Sequence, residues 1–558
     1  MVRFPSGLTP SAFRFLPFRI PHSAFRIDES LGRDERVHHE IPERFNAAVD
    51  FVDRNLQAGR GDGIAVRHEG RSYTYRDIAS LVNRWGNVLR GLGVEAERRI
   101  ALLCLDSPEF IAGFFGAIRV GVVPVPLNTL LRPADYELLL NDSRARLLLV
   151  HRELWEPLGG IRERCRSLRH VVVIGEAAGG ALAYDDLIRQ AGDTCEPADT
   201  SRDDVAFWLY SSGSTGFPKG TVHLQHDMLC CARGMGQGVL DLTEEDVTFS
   251  AAKLFFAYGL GNNLYFPFSV GASAVLYAGR PLPDAIFEVV RQYRPTVFYA
   301  VPTLYGMMLH LAERRAEAEG TAAVRDLMRS VRCCVSAGEP LPAAIFLRWQ
   351  RLFGLEILDG IGSTEMLQTF ISNRPGRVRP GSSGEVVPGY AARIVDEEGR
   401  DVSPGAVGDL WVRGDSAAAS YWNRHQQSKG TFNGEWIRSG DRYSRDADGY
   451  FWYAGRSDDM LKVGGIWVSP IEVENALLGH PEVLECAVVG TPDGSGMVKP
   501  KAFVVLKDGV PPTPERAEQL KVFVKESIAP FKYPRWVEFV TELPKTSTGK
   551  IQRFKLRT

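Results

Sequence analysis

A loop rich in glycine and hydroxyl side chains carries the strongest chemical signal in this sequence. The loop follows the apolar run 205–209 and contains Ser211, Ser212, Gly213, Ser214, Thr215, Gly216 and Lys219. Glycines let backbone N–H groups approach an anion, the hydroxyls donate further hydrogen bonds, and the lysine adds a compact positive charge. An apolar strand followed by such a loop predicts a polyphosphate site. The alternative, a flexible Ser/Gly linker, seldom ends in Pro-Lys-Gly.

The spacing of this loop differs from that of the common P-loop. A P-loop has four residues between its first glycine and the Gly-Lys-Ser/Thr that ends it. Here Lys219 comes three positions after Gly216 and is followed by Gly220. The sequence therefore predicts a nucleotide chemistry different from that of ordinary ATPases.

Two further segments place polar side chains where a nucleotide could use them. The glycine-rich segment 359–365 ends in Thr364, which can bond a phosphate, and Glu365, whose hard oxygens suit Mg²⁺. The local alternative for Glu365 is a carboxylate at a helix start, stabilised by the helix dipole. Asp441 follows the strand-like run 436–440 and can accept hydrogen bonds from two ribose hydroxyls, although an ordinary Gly-Asp turn explains it equally well.

Two other segments are weak signals by themselves. The Gly-Glu-Pro turn at Gly338, Glu339 and Pro340 follows a strand-like run, and Lys550 lies on a glycine-rich turn near the end of the chain. Such turns are common, and a lysine on one is usually only solvated. Their position among the other motifs is what makes them candidates.

Composition excludes several classes of protein. Of 558 residues, 44% are hydrophobic and 24% charged, as in ordinary globular proteins, and the net charge is −2. This balance gives no electrostatic footprint for nucleic acid or an anionic membrane. The 8 cysteines include no Cys-x-x-Cys pair, so we expect neither a zinc site nor a disulfide framework, and a reducing cytoplasm is the expected location.

One uncharged stretch, 254–279, is long enough in principle to span a bilayer. Glycine, asparagine, serine and proline interrupt it repeatedly. We therefore expect a buried strand-and-turn segment there and no membrane span.

Apolar runs alternate with helical patterns through most of the chain. The predicted elements include a strand at His170–Ile174 and helices at Pro108–Arg119, Pro470–Leu478 and Pro514–Ser527. Thr74 and Asp77 fit a capping box that starts an amphipathic helix. The alternation predicts an α/β protein (α+β overall) with doubly wound sheets, in which ligands bind beyond the carboxyl ends of the strands. A β-rich subdomain is expected beyond Gly381.

The expected domains are three. Residues 1–40 have an unusual composition and are expected to be a disordered extension, residues 41–457 a large N-terminal domain that binds ATP and an acyl group, and residues 458–558 a small mobile α+β domain that carries Lys550.

Taken together, the motifs resemble a known family over roughly everything after Ile41. The order Ser-Ser-Gly-Ser-Thr-Gly-x-Pro-Lys-Gly resembles the signature loop of the adenylate-forming (ANL) superfamily. Within it, the chain most resembles acyl-CoA synthetases of the benzoate–CoA ligase group. The likeness to that group rests on the segments 255–261, 359–366, 436–441, 453–463 and 550–555.

This resemblance implies a reaction in two halves. A carboxylate attacks the α-phosphorus of Mg·ATP to give an acyl-adenylate and pyrophosphate, and the thiol of CoA then displaces AMP. By resemblance, ATP, Mg²⁺ and CoA are required. The implied ATP-binding residues are Ser211, Ser212, Gly213, Ser214, Thr215, Gly216 and Lys219 for the phosphates, Thr364 for the α-phosphate, Asp441 and Arg456 for ribose, and Gly338, Glu339, Pro340, Asp359, Gly360 and Ile361 for adenine.

The catalytic residues implied by the family are Lys550, Thr364, Glu365 and Lys219, with Glu365 as the metal ligand. The small domain of the family rotates about the position of Asp458 and admits CoA past a loop. That loop would comprise Lys462, Gly464 and Gly465.

The resemblance places the acyl substrate at Ala257, Tyr258, Gly259, Ser336, Ala337, Gly338, Ile361 and Gly362. Small and aromatic residues form a flat apolar slot, which suits an aryl ring better than a long alkyl chain. The alternative is that the aromatic residues of 255–258 are simply core. Gln368 stands where the group has a histidine, so the ring substituents accepted, and benzoate itself, stay open.

The expected partners are therefore a small aromatic acid, ATP and CoA, without nucleic acid or membrane, and a homodimer stays open. An enzyme of the same superfamily that activates another acid, alicyclic or alkyl, or that loads a carrier protein is the main alternative. An ATP-binding protein without turnover is disfavoured by the presence of Lys219, Glu365, Asp441, Arg456 and Lys550. A phosphotransferase is disfavoured by the loop spacing.

Overall fold

The computed structural model describes residues 41–177, 179–211, 218–456, 461–463, 466–493, 498–529, 532–545 and 551–557. The expectation for residues 1–40 lies outside this part of the chain. So do the predicted site residues Ser212, Gly213, Ser214, Thr215, Gly216, Asp458, Gly464, Gly465 and Lys550. The domain boundary at Asp458 therefore stays a prediction.

Strands are distributed over the whole described chain. In order they are β1 (Ile64–His68), β2 (Arg71–Thr74), β3 (Arg99–Leu103), β4 (Val123–Pro126), β5 (Leu147–His151), β6 (His170–Ile174), β7 (Leu182–Ala183), β8 (Val205–Ser211), β9 (Lys219–Leu224), β10 (Val247–Ser250), β11 (Ser273–Leu276), β12 (Val297–Ala300), β13 (Cys333–Ser336), β14 (Ile357–Gly362), β15 (Thr369–Ser372), β16 (Glu385–Val386), β17 (Tyr390–Val395), β18 (Gly408–Gly414), β19 (Ser420–Tyr421), β20 (Phe432–Asn433), β21 (Trp436–Arg445), β22 (Phe451–Arg456), β23 (Leu461–Val463), β24 (Ile466–Val468), β25 (Val483–Pro492), β26 (Val498–Leu506) and β27 (Trp536–Phe539).

Helices lie between most of these strands. The α-helices are α1 (Arg54–Gln57), α2 (Tyr75–Gly91), α3 (Pro108–Arg119), α4 (Pro133–Ser143), α5 (Arg152–Trp155), α6 (Ile161–Arg164), α7 (Tyr184–Gln190), α8 (Asp227–Cys231), α9 (Ala257–Leu260), α10 (Phe266–Val270), α11 (Pro283–Tyr293), α12 (Pro302–Glu319), α13 (Thr321–Asp326), α14 (Ala343–Phe353), α15 (His425–Thr431), α16 (Pro470–Leu478) and α17 (Pro514–Ser527). Segments Val49–Asp53, Ala232–Gln237 and Gly261–Tyr265 are π-helical, and Glu156–Leu158 and Arg553–Leu556 are 3₁₀-helical.

Two largely parallel sheets confirm the predicted α/β class. A five-stranded parallel sheet has the order β4-β3-β5-β6-β7, and a nine-stranded sheet has the order β16-β15-β14-β13-β12-β10-β11-β1-β2. Six strands of the larger sheet run parallel: β1, β10, β11, β12, β13 and β14. At its two edges the pairs β1–β2, β14–β15 and β15–β16 are antiparallel. The carboxyl ends of β12, β13 and β14 meet at one edge, where a ligand is expected.

Antiparallel sheets complete the described chain. Strands β17, β18, β21, β20 and β22 form the β-rich subdomain expected beyond Gly381, and β19-β9-β8 form a small sheet of their own. Near the end of the chain β25, β26 and β27 form a three-stranded sheet on which α16 and α17 pack. The bounds predicted for α3, β6, α16 and α17 agree with the structure.

The capping box at the start of α2 is also confirmed. The Thr74 hydroxyl accepts from the Asp77 amide at 3.1 Å, and Asp77 Oδ2 accepts from the Thr74 amide at 2.9 Å. These bonds satisfy two of the amides that a helix start leaves open. The helix then buries the predicted apolar face, including Ile78, Val82 and Trp85.

The prediction of strand and turn for the uncharged stretch 254–279 was wrong for most of its length. Residues 257–270 form α9, a π-helical run and α10, and only β11 is a strand. Pro267 lies in the first turn of α10, where a missing N–H is tolerated. Asn263 is buried and donates to the carbonyl of Val275 at 2.7 Å. Within the described residues, no helix is long and apolar enough to cross a membrane.

An ion pair between the buried Asp246 and the partly exposed Arg332 fastens the amino edge of the large sheet, opposite the predicted site. Arg332, just before β13, donates from Nε to Oδ1 of Asp246 at 2.8 Å and from Nη2 to Oδ2 at 2.9 Å. The Thr296 hydroxyl donates to Oδ1 of Asp246 at 2.6 Å. Burial raises the pKa of Asp246, but the hydrogen bonds from Arg332 and Thr296 outweigh burial and hold that pKa below its usual value.

We expect Asp246→Ala to lower the free energy of unfolding by about 2 kcal/mol at neutral pH, because Arg332 and Thr296 lose their charged hydrogen-bond acceptor. The pKa of Asp246 is lower in the folded than in the unfolded chain. Its contribution is therefore fully present above the unfolded value of 3.8 and is lost as pH falls through the folded value. Urea unfolding should show a constant difference from wild type between about pH 5 and about pH 8, shrinking below pH 3.8.

The control is Asp199→Ala, which removes the partner of Arg44 in an ion pair whose side chains are 77% and 70% exposed. Solvent screens such a pair, so little change is expected. Equal losses in the two variants would contradict the role of Asp246.

Candidate functional site

The predicted phosphate loop connects two antiparallel strands. Strand β8 ends at Ser211 and β9 begins at Lys219, and these two residues are paired across the hairpin. Ser211 and Lys219 are thereby held side by side at its end. The residues 212–217 between them lie outside the described chain.

Glu365 lies against this hairpin, as the prediction of a shared phosphate and metal site requires. The Ser211 hydroxyl is 3.5 Å from Oε1 of Glu365, although the two residues are 154 positions apart. The same Oε1 accepts a hydrogen bond from the Tyr421 hydroxyl at 2.7 Å. The structure thus brings Ser211 and Glu365 together and adds Tyr421, which the sequence did not predict.

Lys219 belongs to the same cluster. Its ammonium lies 4.8 Å from the centroid of the Tyr421 ring, a cation–π contact. Tyr421 reaches both charged groups because β19 pairs with β9, with Tyr421 opposite Thr221. One carboxylate and one ammonium are therefore concentrated at the end of the hairpin, as a metal-bound polyphosphate would require.

The turn that carries Thr364 and Glu365 is tied to the hairpin by a buried histidine. His223 of β9 has Nε2 at 2.8 Å from the carbonyl of Thr364 and Nδ1 at 2.8 Å from Oδ2 of Asp227. The His223 ring stacks on Phe207 with centroids 5.2 Å apart. Neither His223 nor Asp227 is exposed to solvent, so this contact fixes the turn relative to β9.

The predicted ribose residues face each other on neighbouring strands. Asp441 of β21 is paired with Arg456 of β22, and Arg456 Nη1 donates to Oδ1 of Asp441 at 3.2 Å. Asp441 lies inside β21 and not after it, as the sequence had suggested. Gly440 explains the error, because its φ of 76° allows a kink within the strand where a turn had been expected.

The segment 359–362 also differs from expectation, since it forms the end of β14 and not a loop. Ser336 at the end of β13 is paired with Asp359 of β14. Asp359 is buried, and its Oδ2 accepts from the amide of Leu341 at 3.2 Å. Burial raises the pKa of Asp359 to about 8, against the opposing effect of hydrogen bonds from Leu341 and Ser336. Burial therefore favours the uncharged form of Asp359 at this edge, which suits the adenine or aryl ring predicted to lie there.

Glu339 connects this edge to the end of the chain. Its Oε1 accepts from the amide of Ile551 at 3.2 Å, and its Oε2 accepts from the Thr303 hydroxyl at 3.2 Å. Ile551 directly follows Lys550, which lies outside the described residues. The described chain on the C-terminal side of Lys550 thus lies against the turn predicted to line adenine.

The residues predicted for the acyl group surround the carboxyl end of β13. The Tyr258 hydroxyl donates to the carbonyl of Val335 at 3.1 Å, and Ala257 and Tyr258 are only partly buried, whereas Phe255 is core. A Cβ on Gly259 would lie 2.1 Å from the carbonyl oxygen of Lys253, so a larger residue would displace this segment. The alternative that the whole aromatic cluster is core holds for Phe255 alone of these.

Gln368 holds the backbone of the predicted acyl segment in place. Its Nε2 donates to the carbonyl of Tyr258 at 3.1 Å, and its Oε1 accepts from the amide and hydroxyl of Thr369, each at 3.0 Å. The side chain is buried. A Cβ on Gly261 would lie 2.2 Å from this Nε2, so the glycine is what makes room for the amide.

Comparison with known families agrees with this geometry. The model of the AMP-binding enzyme family matches residues 53–422, and that of the AMP-binding enzyme C-terminal domain matches residues 472–550. The chain belongs to the AMP-binding enzymes. The predicted resemblance is thereby confirmed.

Relatives of this AMP-binding enzyme include ligases that act on aromatic acids. It is 51% identical to a benzoate–CoA ligase of Thauera aromatica over 93% of this chain and 97% of that protein. It is 46% identical to a 4-hydroxybenzoate–CoA/benzoate–CoA ligase of Rhodopseudomonas palustris over 92% of this chain and 94% of that protein.

Solved structures are similar over the same length. An anthranilate CoA ligase in complex with anthranoyl-AMP has a TM-score of 0.87 and 47% identity, covering 92% of this chain and 97% of that chain. A benzoate CoA ligase from Burkholderia xenovorans has a TM-score of 0.84 and 47% identity, covering 92% of this chain and all of that chain.

Sequence reasoning missed His223, Asp227 and Tyr421 in this AMP-binding enzyme. His223 and Asp227 are spaced i, i+4, yet they lie on a strand and on the helix after it, so no single periodic element joins them. Tyr421 sits in a two-residue strand that gives no periodic signal. One hint of this contact was present in the sequence, because His223 is a polar residue within the mostly apolar run 220–224.

We expect His223→Ala to lower the rate of acyl-adenylate formation about tenfold or more while the protein stays folded, because the Thr364 carbonyl loses its buried donor and the turn shifts. The rate can be followed as pyrophosphate release without CoA.

His226→Ala is the matched control. His226 also approaches Asp227, at 3.3 Å, but its nitrogens face the carbonyls of Arg202 at 2.8 Å and Asp415 at 3.0 Å, away from Thr364. A similar rate loss in both variants would assign the effect to Asp227 and not to the turn.

Proposed function

We propose that this protein is an ATP-dependent aryl-CoA ligase that activates benzoate or a substituted benzoate through an acyl-adenylate and transfers it to CoA, releasing AMP and pyrophosphate. The observation that carries the proposal is the meeting of Ser211, Lys219 and Glu365 at one point. Similarity to benzoate–CoA ligases over nearly the whole chain supports the acid.

In the first half-reaction the main barrier is electrostatic. A carboxylate must approach an α-phosphorus that is surrounded by negative oxygens, so fixed positive charge and hydrogen-bond donors do the work. Lys219 and the loop after Ser211 would hold the outer phosphates, and the Thr364 hydroxyl would bond the α-phosphate. Lys550 would bridge the carboxylate and the α-phosphate, and Arg456 with Asp441 would hold the ribose.

Glu365 fits the demands of Mg²⁺. This ion usually takes one or two carboxylate oxygens and completes its shell with phosphate and water. The ion would supply charge neutralisation on the phosphates. The carboxylate of Glu365 lies beside the end of the phosphate hairpin, where it can share an ion with a bound polyphosphate.

The second half-reaction requires that Lys550 leave and that CoA enter. The contact between Ile551 and Glu339 holds the end of the chain near the adenine edge, as adenylation requires. Rotation about Asp458 would break that contact and bring the segment of Lys462, Gly464 and Gly465 to the acyl-adenylate.

The acyl slot between Tyr258 and the end of β14 favours a flat substrate. Ala257 and Tyr258 are only partly buried, and the Gln368 amide holds the backbone that would form one wall. The Gln368 amide donates to the carbonyls of Ala257 and Tyr258 in that wall, so its role is to hold the wall in place. An alicyclic or alkyl acid, or a carrier protein in place of CoA, is the alternative.

We also propose a cytoplasmic location. All eight cysteines are free and buried, with Cys333 and Cys334 side by side and unbridged. A reducing compartment suits this state.

The decisive test is CoA-dependent AMP release from ATP across benzoate, hydroxy-, amino- and fluorobenzoates, cyclohexanecarboxylate and a medium-chain fatty acid. We expect one aryl acid to be clearly preferred, because the slot is short and flat. Activity with alkyl acids only would refute the aryl assignment, and pyrophosphate release without any CoA-dependent AMP release would favour a carrier protein as acceptor.

Separate half-reactions test the role of Lys550. Lys550→Ala should slow adenylation far more, by about a hundredfold or greater, than thioester formation from preformed acyl-AMP, because its charge acts only on the first transition state. Quenched-flow assays of each half measure this.

Lys555→Ala is the control, since Lys555 lies five positions further on and its ammonium lies 6.0 Å from the Phe554 ring. Equal losses in both half-reactions of Lys550→Ala would count against its assignment.

A further inference from the structure

Tyr421 touches both charged groups of the proposed phosphate site. Its hydroxyl donates to Oε1 of Glu365 at 2.7 Å, and its ring face lies 4.8 Å from the ammonium of Lys219. We propose that Tyr421 is a positioning residue that keeps Glu365 and Lys219 apart and aims both at Mg·ATP. The inference rests on the proposed function.

Without Tyr421 between them, the carboxylate of Glu365 and the ammonium of Lys219 would pair with each other. A direct bond between Glu365 and Lys219 would cancel the charges that metal and phosphate need. Within the described chain, these two side chains form no ion pair at or below 4.0 Å, and each is held by a different part of one phenol. The ring therefore works as a spacer.

The phenol of Tyr421 suits this role because its contacts with Glu365 and Lys219 can both give way when the substrate binds. Its hydroxyl uses Oε1 of Glu365 and leaves Oε2 for a cation. A cation–π contact is weaker than a charged hydrogen bond to phosphate, so Lys219 can turn to a nucleotide when one binds.

The Tyr421 side chain is itself fixed from several sides. It is 4% exposed, its strand β19 pairs with β9, and its ring meets Phe432 edge to face at 5.2 Å. The Tyr421 amide donates to the Ser428 hydroxyl at 3.1 Å. A side chain locked in this way can define the separation of two flexible ones.

Tyr421→Phe tests the hydroxyl alone, because the ring stays over Lys219. The measurement is Mn²⁺ affinity by electron paramagnetic resonance in the presence of α,β-methylene-ATP. We expect the affinity for Mn²⁺ to fall about tenfold, equal to about 1.4 kcal/mol. The affinity for α,β-methylene-ATP without metal should stay unchanged. In Tyr421→Leu, which removes the ring too, both affinities should fall.

Tyr450→Phe is a matched control elsewhere in the chain. The Tyr450 hydroxyl donates to the carbonyl of Arg377 at 2.9 Å and its ring lies 4.1 Å from the Arg379 guanidinium, so the same two kinds of contact occur far from Glu365 in the chain. We expect its Mn²⁺ affinity to equal that of wild type.

A double variant with Glu365→Gln separates positioning from general loosening. If Tyr421 acts through Glu365, adding Tyr421→Phe to Glu365→Gln should weaken Mn²⁺ binding no further. Unchanged Mn²⁺ affinity in Tyr421→Phe, or an equal loss in Tyr450→Phe, would overturn the inference while leaving the proposed function intact. A wild-type protein that binds no α,β-methylene-ATP would overturn both.

Discussion

The buried hydrogen bond from His223 to the carbonyl of Thr364 is the contact on which the candidate site depends. The hairpin of β8 and β9 carries Ser211 and Lys219, whereas Glu365 belongs to a turn that follows a strand of a different sheet. His223 and Thr364 are 141 positions apart in the chain, and neither ring nitrogen of His223 faces solvent. Since the His223 ring is fully buried, the turn cannot move from the hairpin without leaving a buried ring nitrogen unsatisfied.

Around this hydrogen bond, the charged groups lie on one side and the edge of the large sheet with Asp359 lies on the other. The ionised groups gather at the end of the hairpin, where phosphates and metal are proposed to bind. At the neighbouring edge of the large sheet, the pKa of Asp359 is raised by burial, so that edge suits an uncharged ring. In the proposed function, the charged groups at the hairpin would meet the nucleotide phosphates, and the edge beside Asp359 would meet an uncharged ring.

Sequence reasoning succeeded where the chemistry is local. Ser211, Lys219 and Glu365 could be predicted because loops that bind phosphate need glycine, hydroxyl and charge within a few residues. The bounds of α3 and α16 could be predicted because proline and a capping serine mark each start. The structure brings Ser211, Lys219 and Glu365 together, while the roles of all the predicted site residues, including those at 212–216 and Lys550, stay predictions.

Reasoning failed where long-range pairing decides. Tyr421 acquires its position only through the pairing of β19 with β9, which no local pattern encodes. Asp441 was placed after a strand because glycine usually ends one, yet pairing with β22 carries the strand past Gly440. The stretch 257–270 was expected to be strand and turn because its glycines and prolines suggested breaks, but buried asparagines such as Asn263 bond neighbouring strands and permit short helices.

The ion pair of Asp246 and Arg332 lies at the amino edge of the same strands whose carboxyl ends face the site. Anchoring and chemistry are therefore placed at opposite ends of β10, β12 and β13. In the proposed function, substitutions at the acyl wall would change which ring fits without touching the contacts that hold the strands in order. New acids would then be accommodated by small changes around Gln368 and Ala257, each tolerated by a scaffold secured elsewhere.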